Sequence, residues 1–136
     1  MAIRVVFLIK RRPDLTHEQF SEHWSKNHGR IFTSLKIVKE NIIRYNQFHI
    51  LEQPSEELVK IGLPVAPYDG AAEFTVEKLE DLLALFGDEA YQKNAFPDED
   101  NFLDRNSVQV LVGEDHIKWV RGLHDGTTAT SNALNE

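Results

Sequence analysis

The sequence contains no cysteine, which excludes disulfide bonds, thiolate metal sites and a cysteine nucleophile. Basic residues are also scarce, since 15 lysines and arginines stand against 22 aspartates and glutamates and give a net charge of −7. Basic residues cluster only in the short run KRRP, Lys10–Pro13. A nucleic-acid-binding protein needs a basic face, so we expect no nucleic-acid partner.

Long apolar runs are missing as well. No stretch approaches the length that spans a bilayer, and the apolar segment MAIRVVFLIK is too short and wrongly flanked for a signal peptide. We therefore expect a cytoplasmic protein without a membrane partner, and the lack of cysteine fits a reducing compartment. A length of 136 residues and a hydrophobic share of 41% are those of one globular domain.

Hydrophobic periodicity predicts four strands and two helical regions in the order β-α-β-β-α-β. The strands are expected in IRVVFLIK, RYNQFHIL, GAAEFTV and SVQVLVG. A capping box of Thr16 and Gln19 predicts the start of the first helix. The second helix carries an apolar stripe formed by Leu79, Leu82, Leu83 and Phe86. Residues 52–70 are predicted to be a long loop with at most one helical turn.

This order of elements is that of the split β-α-β, or ferredoxin-like, fold, an α+β architecture with an antiparallel sheet. Its helices cover only one face of the sheet. We expect a second copy of the chain to cover the other face, so that a homodimer forms a dimeric α/β barrel around a cavity. Residues 1–121 are assigned to this domain, and the small and polar residues 122–136 to a flexible tail.

The predicted second strand has two mixed faces, one of which carries Tyr45, Gln47 and His49 while the other begins at Arg44. Histidine titrates near neutral pH and can pass a proton in either direction. We therefore expect the face with His49 to line the cavity. Packing of His49 beneath a helix would instead favour His28 as the proton-transfer residue.

The segment LIKRRPDLTHEQFSEHWSKNHG resembles the EthD family of dimeric α/β-barrel proteins. The shared features are a strand ending in Lys-Arg, a proline turn, a Thr-x-x-Gln-Phe helix start, and a tryptophan followed four residues later by a histidine. The segments RYNQFH, GLPVAPYDGAAEF and YQKNAFPDEDNF resemble the fungal branch of that family. The resemblance covers residues 3–119. It implies a role in an aromatic polyketide pathway, as a decarboxylase or dehydratase of anthrone and anthraquinone precursors.

Four residues are predicted to carry the chemistry. His49 or His28 delivers a proton, Tyr45 holds a developing oxyanion, and Asp69 orients a histidine. Each has a structural alternative, such as a helix cap for His28 and a turn before the third strand for Asp69. The remaining residues expected at the substrate site are Gln47, Trp24, Phe74, Phe96, Glu73 and Phe7.

No metal or cofactor is expected. None of the six histidines forms a His-x-x-x-His pair, and His23 and His28 are five positions apart, which does not align them on one face of an α-helix. The sequence has no phosphate-binding glycine loop, nucleophile elbow or dinucleotide fingerprint. His23 and the acidic run Asp98–Asp100 are expected to be solvated.

The first functional hypothesis is a cofactor-free decarboxylase that acts on an anthrone-type carboxylic acid. Loss of carbon dioxide leaves an enolate, which needs donors to its oxygen and one proton to carbon. Two alternatives stay open. One is a dehydratase or cyclase on the same substrate class, and the other is a protein that binds an aromatic polyketide without converting it.

Overall fold

A computed structural model describes residues 2–122 of the chain. Four antiparallel strands form one sheet in the spatial order β2-β3-β1-β4. They are β1 (Ile3–Ile9), β2 (Arg44–His49), β3 (Gly70–Val76) and β4 (Gln109–Gly113). The predicted α+β, ferredoxin-like fold is confirmed. Apart from Gly122, the predicted tail 122–136 lies outside the described residues.

The first helical region is one continuous rod with a change of winding in its middle. Helix α1 (His17–Glu22) begins at the predicted capping box, because the side chain of Thr16 accepts the backbone N–H of Gln19 at 3.1 Å. A π-helical turn (His23–His28) follows without a break, and helix α2 (Gly29–Ser34) continues from it. The wider π turn changes which side chains lie on the same face of the rod.

Three further helices are α3 (Lys36–Asn41), α4 (Glu52–Lys60) and α5 (Leu79–Phe86). Helix α4 shows that the prediction of a loop with at most one turn is wrong. Its nine residues include Pro54 in the first turn, where the missing backbone N–H has no helical partner to lose. The other helical turns among residues 2–122 are Tyr91–Ala95, Pro97–Asn101 and Arg105–Ser107.

The core fills the space between the sheet and the helices. Helix α5 contributes Leu82 and Leu85, while Leu79 and Leu83, which the predicted stripe included, are exposed. The helix therefore packs through Leu82, Leu85 and the half-buried Phe86 and turns Leu79 and Leu83 outward. Within the described residues, no helix packs on the opposite face of the sheet. Within residues 2–122, no helix is both long and apolar enough to cross a membrane.

Candidate active site

A cavity of about 370 Å³ lies between the sheet and the helices. Its wall is mostly aromatic and includes four residues expected at the substrate site, Phe7, Trp24, Phe74 and Phe96. The polar residues that reach the wall include Tyr45, His28, Glu99 and Arg105. A largely apolar wall with a few polar groups is typical of a binding site for a small molecule.

Whereas the cavity expected between two sheets of a dimer stays a prediction, this cavity lies on the helix side of the sheet. Ala72 gives the physical reason. It is the register partner of Phe7 on one neighbouring strand and of Gln47 on the other. Its methyl group is too short to fill the space beneath the helices. A single chain therefore encloses a ligand-sized space by itself.

Strand β2 turns Tyr45, Gln47 and His49 towards the helices. Tyr45 reaches the cavity wall, but Gln47 and His49 are not part of it. The ring of His49 lies 4.4 Å from the ring of Trp24, beneath the helical rod. The expectation that this whole face lines the cavity is corrected, and among the expected histidines it is His28 that lies at the cavity.

The carboxylate of Asp98 joins two histidines at the cavity wall. Its Oδ2 lies 3.0 Å from Nδ1 of His28, and its Oδ1 lies 2.9 Å from Nε2 of His23. The side-chain amide of Asn101 also donates to Oδ1, at 3.0 Å. Burial raises the pKa of Asp98, but the hydrogen bonds from Asn101 and the two histidines together lower it further, so the net shift is downward. Asp98 is therefore a buried carboxylate that keeps its charge.

This carboxylate fixes the proton of His28. Because an ionised carboxylate only accepts, Nδ1 of His28 carries the ring proton, and Nε2 of the neutral ring holds a lone pair. Burial lowers the pKa of His28 by more than the hydrogen bond and charge of Asp98 raise it. A neutral imidazole with an unprotonated Nε2 at an apolar wall is a competent general base.

The π-helical turn explains how two histidines share one carboxylate. His23 and His28 are five residues apart, a spacing that separates them on an α-helix. Hydrogen bonds of a π-helix join residues five apart, and both histidines lie in the π-helical turn. The two rings can therefore reach Asp98 together. The expectation that His23 is solvated is wrong, since its ring is bonded to a buried group.

The phenol of Tyr45 keeps its proton. Burial raises its pKa to about 12, although hydrogen bonds from the side chains of Gln47 and Trp24 lower it. The ring is held beside that of Phe32, with 4.6 Å between the centroids. Tyr45 therefore offers a neutral hydroxyl at the cavity across the physiological pH range.

A second acidic group reaches the cavity beside a cation. Glu99 accepts the hydroxyl of Tyr91 at 3.1 Å, and its other oxygen lies 3.5 Å from Nε of Arg105. Burial, together with the charges of Asp100 and Asp98, raises the pKa of Glu99 by more than Tyr91 and Arg105 lower it. The guanidinium of Arg105 lies 3.9 Å from the ring centroid of Phe96, which holds it against the wall. A carboxyl with a raised pKa can return a proton to a ligand.

Asp69 and Glu73 lie away from the cavity wall. Asp69 accepts the backbone N–H of Arg11 at 2.8 Å, and its Oδ1 lies 3.4 Å from Nδ1 of His17. It therefore neighbours a histidine, as expected, but one that is not at the cavity. Glu73 points to the open face of the sheet, where it pairs with Arg4 at 2.7 Å. Alternation along β3 places it opposite the face that lines the cavity.

Sequence reasoning did not identify Asp98, Glu99 and Arg105. The expectation that Asp98–Asp100 is solvated is wrong for Asp98, which is only 9% exposed. One signal is visible in FPDEDNF, where Phe96 and Phe102 bound the acidic run on both sides. Phe102 is buried and Phe96, although 38% exposed, reaches the cavity wall, so the residues between them are held beside the cavity.

Metal binding is not favoured by the placement of these groups. Within the described part of the chain, no set of three or more histidine and acidic side chains is arranged to hold a metal ion. Asp98 already accepts hydrogen bonds from three side chains. The arrangement is suited to moving protons between side chains and a ligand.

Known proteins share this fold and parts of this sequence. The conidial pigment biosynthesis dehydratase EthD of Metarhizium robertsii is 23% identical over 107 residues, which are 76% of this chain and 75% of the relative. The crystal structure of an EthD family protein from Bacillus halodurans has a TM-score of 0.59 at 14% identity and covers 85% of this chain and 100% of its own.

A dimeric protein of unknown function and ferredoxin-like fold from Bacteroides fragilis has a TM-score of 0.55 at 11% identity. The match covers 84% of this chain and 96% of that protein. Both solved structures support the fold. The family model of the EthD domain matches residues 12–106, which is more than half of the sequence. The chain therefore belongs to the EthD domain family.

Proposed function

We propose that this protein is a lyase that eliminates water from an aromatic polyketide in pigment biosynthesis. The observation that carries the proposal is the His28–Asp98 pair at the wall of an aromatic cavity. The name of the Metarhizium relative, a dehydratase of conidial pigment biosynthesis, supports the same reaction. The aromatic wall favours a planar, polycyclic substrate, because ring faces and edges pack well against such a molecule.

In this proposal His28 is the general base. Its unprotonated Nε2 removes a proton from the carbon next to a ketone of the substrate, and the electron pair of that C–H bond moves to form an enolate. Asp98 stabilises the imidazolium that results, because its carboxylate accepts the proton on Nδ1. The neutral form of His28 is available because burial lowers its pKa.

Tyr45 stabilises the enolate. The pKa of its hydroxyl is raised to about 12, so the hydroxyl keeps its proton at neutral pH and can donate to the oxygen on which negative charge develops. The side chain is rigidly packed between rings, with centroids 4.6 Å from Phe32 and 5.4 Å from Phe74. A donor held in place before the reaction stabilises the transition state more effectively than one that must reorient.

Glu99 completes the elimination. The enolate electrons form a new carbon–carbon double bond, the hydroxyl on the adjacent carbon leaves, and Glu99 gives it a proton so that water departs. One proton taken by His28 and one given by Glu99 balance the loss of one water. These acid and base groups suffice for the reaction, so we propose that it is cofactor-free.

Decarboxylation of an anthrone-type acid is the second candidate, and Arg105 favours it. The guanidinium lines the cavity, and its buried Nε forms no hydrogen bond among the described residues, although Oδ1 of Asp100 lies 3.3 Å and Oε1 of Glu99 lies 3.5 Å from it. A substrate carboxylate could satisfy this donor. The replacement Arg105→Met should then weaken binding of a ligand with a carboxyl group and leave binding of its ester, which cannot be decarboxylated, unchanged.

We also propose that the chain is a homodimer. Strand β4 and the open face of the sheet expose large apolar side chains, among them Phe48 at 54% and Leu111 at 57%. The fold relative from Bacteroides fragilis is described as dimeric, which supports the proposal. A second sheet would remove this surface from water.

Mass analysis of the products tests the proposed function. The protein is incubated with a polycyclic aromatic β-hydroxy ketone and, separately, with an anthrone-type carboxylic acid. Loss of water that disappears in His28→Gln supports dehydration, whereas loss of carbon dioxide supports the second candidate. Binding of both compounds without loss of either group would indicate a polyketide-binding protein and contradict the proposal.

A further inference from the structure

A chain of hydrogen bonds leads to Tyr45 from outside the cavity. Oγ of Ser21 lies 2.5 Å from Nδ1 of His49, and Nε2 of His49 lies 2.8 Å from Oε1 of Gln47. Nε2 of Gln47 then lies 2.9 Å from the hydroxyl oxygen of Tyr45. The proposed reaction uses Tyr45 but gives no role to the other three side chains.

The backbone carbonyl of Trp24 fixes the direction of this chain. It lies 2.9 Å from Nε2 of Gln47 and can only accept, so the amide nitrogen must face it. The amide oxygen of Gln47 then faces His49 and accepts the proton on Nε2 of that ring. In the neutral ring, Nδ1 is left to accept the hydroxyl proton of Ser21.

The same order sets the direction of the bond to Tyr45. The amide of Gln47 donates to the phenol oxygen, so on the side that faces Gln47 the phenol oxygen acts as an acceptor. Within residues 2–122 the hydroxyl of Tyr45 donates to no protein acceptor, while its side chain forms part of the cavity wall. Its proton is therefore left for a group inside the cavity.

The local sequence makes room for this arrangement. Gly29 donates its backbone N–H to the carbonyl of Trp24, which closes the π-helical turn. A Cβ at Gly29 would lie 3.2 Å from Nε2 of Gln47 and would crowd the amide. The turn and the glycine together let one carbonyl hold both the helix and the Gln47 side chain.

We propose that Ser21, His49 and Gln47 are positioning residues that hold Tyr45 as a hydrogen-bond donor into the cavity. The cavity then selects aromatic ligands that carry an oxygen acceptor, such as a ketone, against Tyr45. The inference rests on the proposed function in taking this cavity as the ligand site. The direction of the hydrogen bonds to Tyr45 does not depend on the charge of His49, because Nε2 of His49 carries a proton in both the neutral and the charged ring.

The test uses 9-fluorenone and fluorene, two tricyclic probes of nearly the same shape that differ by one carbonyl oxygen. Binding of each is measured by calorimetry, and the carbonyl stretching band of bound 9-fluorenone is measured by infrared spectroscopy. A hydrogen bond from Tyr45 moves this band to lower frequency. In Tyr45→Phe the band should return upward, and the preference for 9-fluorenone over fluorene should fall about fivefold, the value of one net hydrogen bond.

Two replacements of Gln47 separate positioning from simple packing. Gln47→Glu keeps the shape of the side chain but presents only acceptors to Tyr45 at about pH 8, where a carboxyl is ionised. The phenol should then donate to this carboxylate instead of to the ligand, and the carbonyl band should return upward. Gln47→Met removes the donor that holds the phenol oxygen, so the band should return part of the way upward, and an unchanged band would contradict a positioning role. His49→Gln retains a donor for Gln47 and should behave as the unchanged protein. Gln109→Glu, the same change at an exposed position of β4, is the control.

An unshifted band in the unchanged protein, or no binding of 9-fluorenone, would overturn the inference. So would a shifted band in Tyr45→Phe, which is informative even if Gln47→Glu does not fold. A greater loss of the carbonyl band shift in Gln47→Met than in Gln47→Glu would assign Gln47 a packing role only. None of these measurements requires turnover, so failure of the proposed reaction with a shifted band would leave the role of Tyr45 intact.

Discussion

Oδ2 of Asp98 lies 3.0 Å from Nδ1 of His28, although the two residues are 70 positions apart in the chain. This contact decides which ring nitrogen carries the proton, and so it decides that Nε2 is the basic one. The pair brings a helix and a late turn of the chain together at the wall of one aromatic cavity. The proposed chemistry depends on it.

Replacement of Asp98 by asparagine should impair proton removal. The amide can donate to Nδ1 of His28, which moves the ring proton to Nε2 and removes the base. We expect kcat for water loss to fall by about 10²- to 10⁴-fold, with binding of 9-fluorenone changed much less. Steady-state kinetics and calorimetry measure the two effects. Asp14→Asn, the same change at a side chain that is 65% exposed and pairs with Arg12, is the control, and equal losses in both variants would contradict the assignment.

The lowered pKa of His28 should make stability depend on pH. Between the folded pKa of His28 and its ordinary value of 6.5, the unfolded chain binds more protons than the folded chain. The free energy of unfolding should therefore fall as the pH decreases through this window and be fully retained above it. Urea denaturation at about pH 7.5 and about pH 5.5 measures the difference.

The variant His28→Gln should show a smaller difference between these two pH values. Part of the difference in the free energy of unfolding should remain, because burial and the charge of His17 also lower the pKa of His49. His116→Gln changes an exposed histidine and should keep the full difference. An equal difference in all three proteins would contradict the burial argument for His28.

Gly70 leaves the space that the ring of Trp24 occupies. A Cβ at Gly70 would lie 2.5 Å from a ring carbon of Trp24, so the ring would have to move. We expect Gly70→Ala to reduce the free energy of unfolding by about 1–3 kcal/mol, the usual range for overpacking. A Cβ at Gly113 meets nothing within 4 Å, so Gly113→Ala is the matched control. Equal stabilities of the two variants in urea denaturation would contradict this packing.

The strands were predictable because their signal is local. A period of two and β-branched composition identify β1 and β3 from the sequence, and the capping box of Thr16 identifies the start of α1. Alternation also predicts that Tyr45 and His49 share a face. The cavity could not be placed in the same way, because its position depends on how the small side chain of Ala72 meets neighbours on two other strands.

The acid–base site was harder to predict for a geometric reason. An α-helical period separates His23 from His28, and only the π-helical turn lets both reach one carboxylate. Asp98 is distant in sequence and looks like part of a solvated run, since its burial comes from packing against the first helical region. Tertiary contacts of this kind leave no periodic signal in the chain.

The proposed homodimer predicts that a charge on the open sheet should separate the subunits. Leu111→Glu places a carboxylate on an apolar side chain that is 57% exposed in the single chain. We expect light scattering to give the mass of a dimer for the unchanged protein and of a monomer for the variant at micromolar concentration. Leu83→Glu, on helix α5 at 56% exposure, should remain a dimer. A monomeric unchanged protein would contradict the homodimer.

A crystal structure with bound 3,4-dihydroanthracen-1(2H)-one, a tricyclic ketone with a CH2 group next to its carbonyl, tests the central claim most directly. We expect the tricyclic ligand between the sheet and the helices, with its oxygen within hydrogen-bond distance of Tyr45. The CH2 carbon next to its carbonyl, which bears the proton to be removed, should lie about 3–3.5 Å from Nε2 of His28, which is the distance of a reactive pair. A ligand bound instead on the open face of the sheet, against Phe48 and Leu111, would contradict the account.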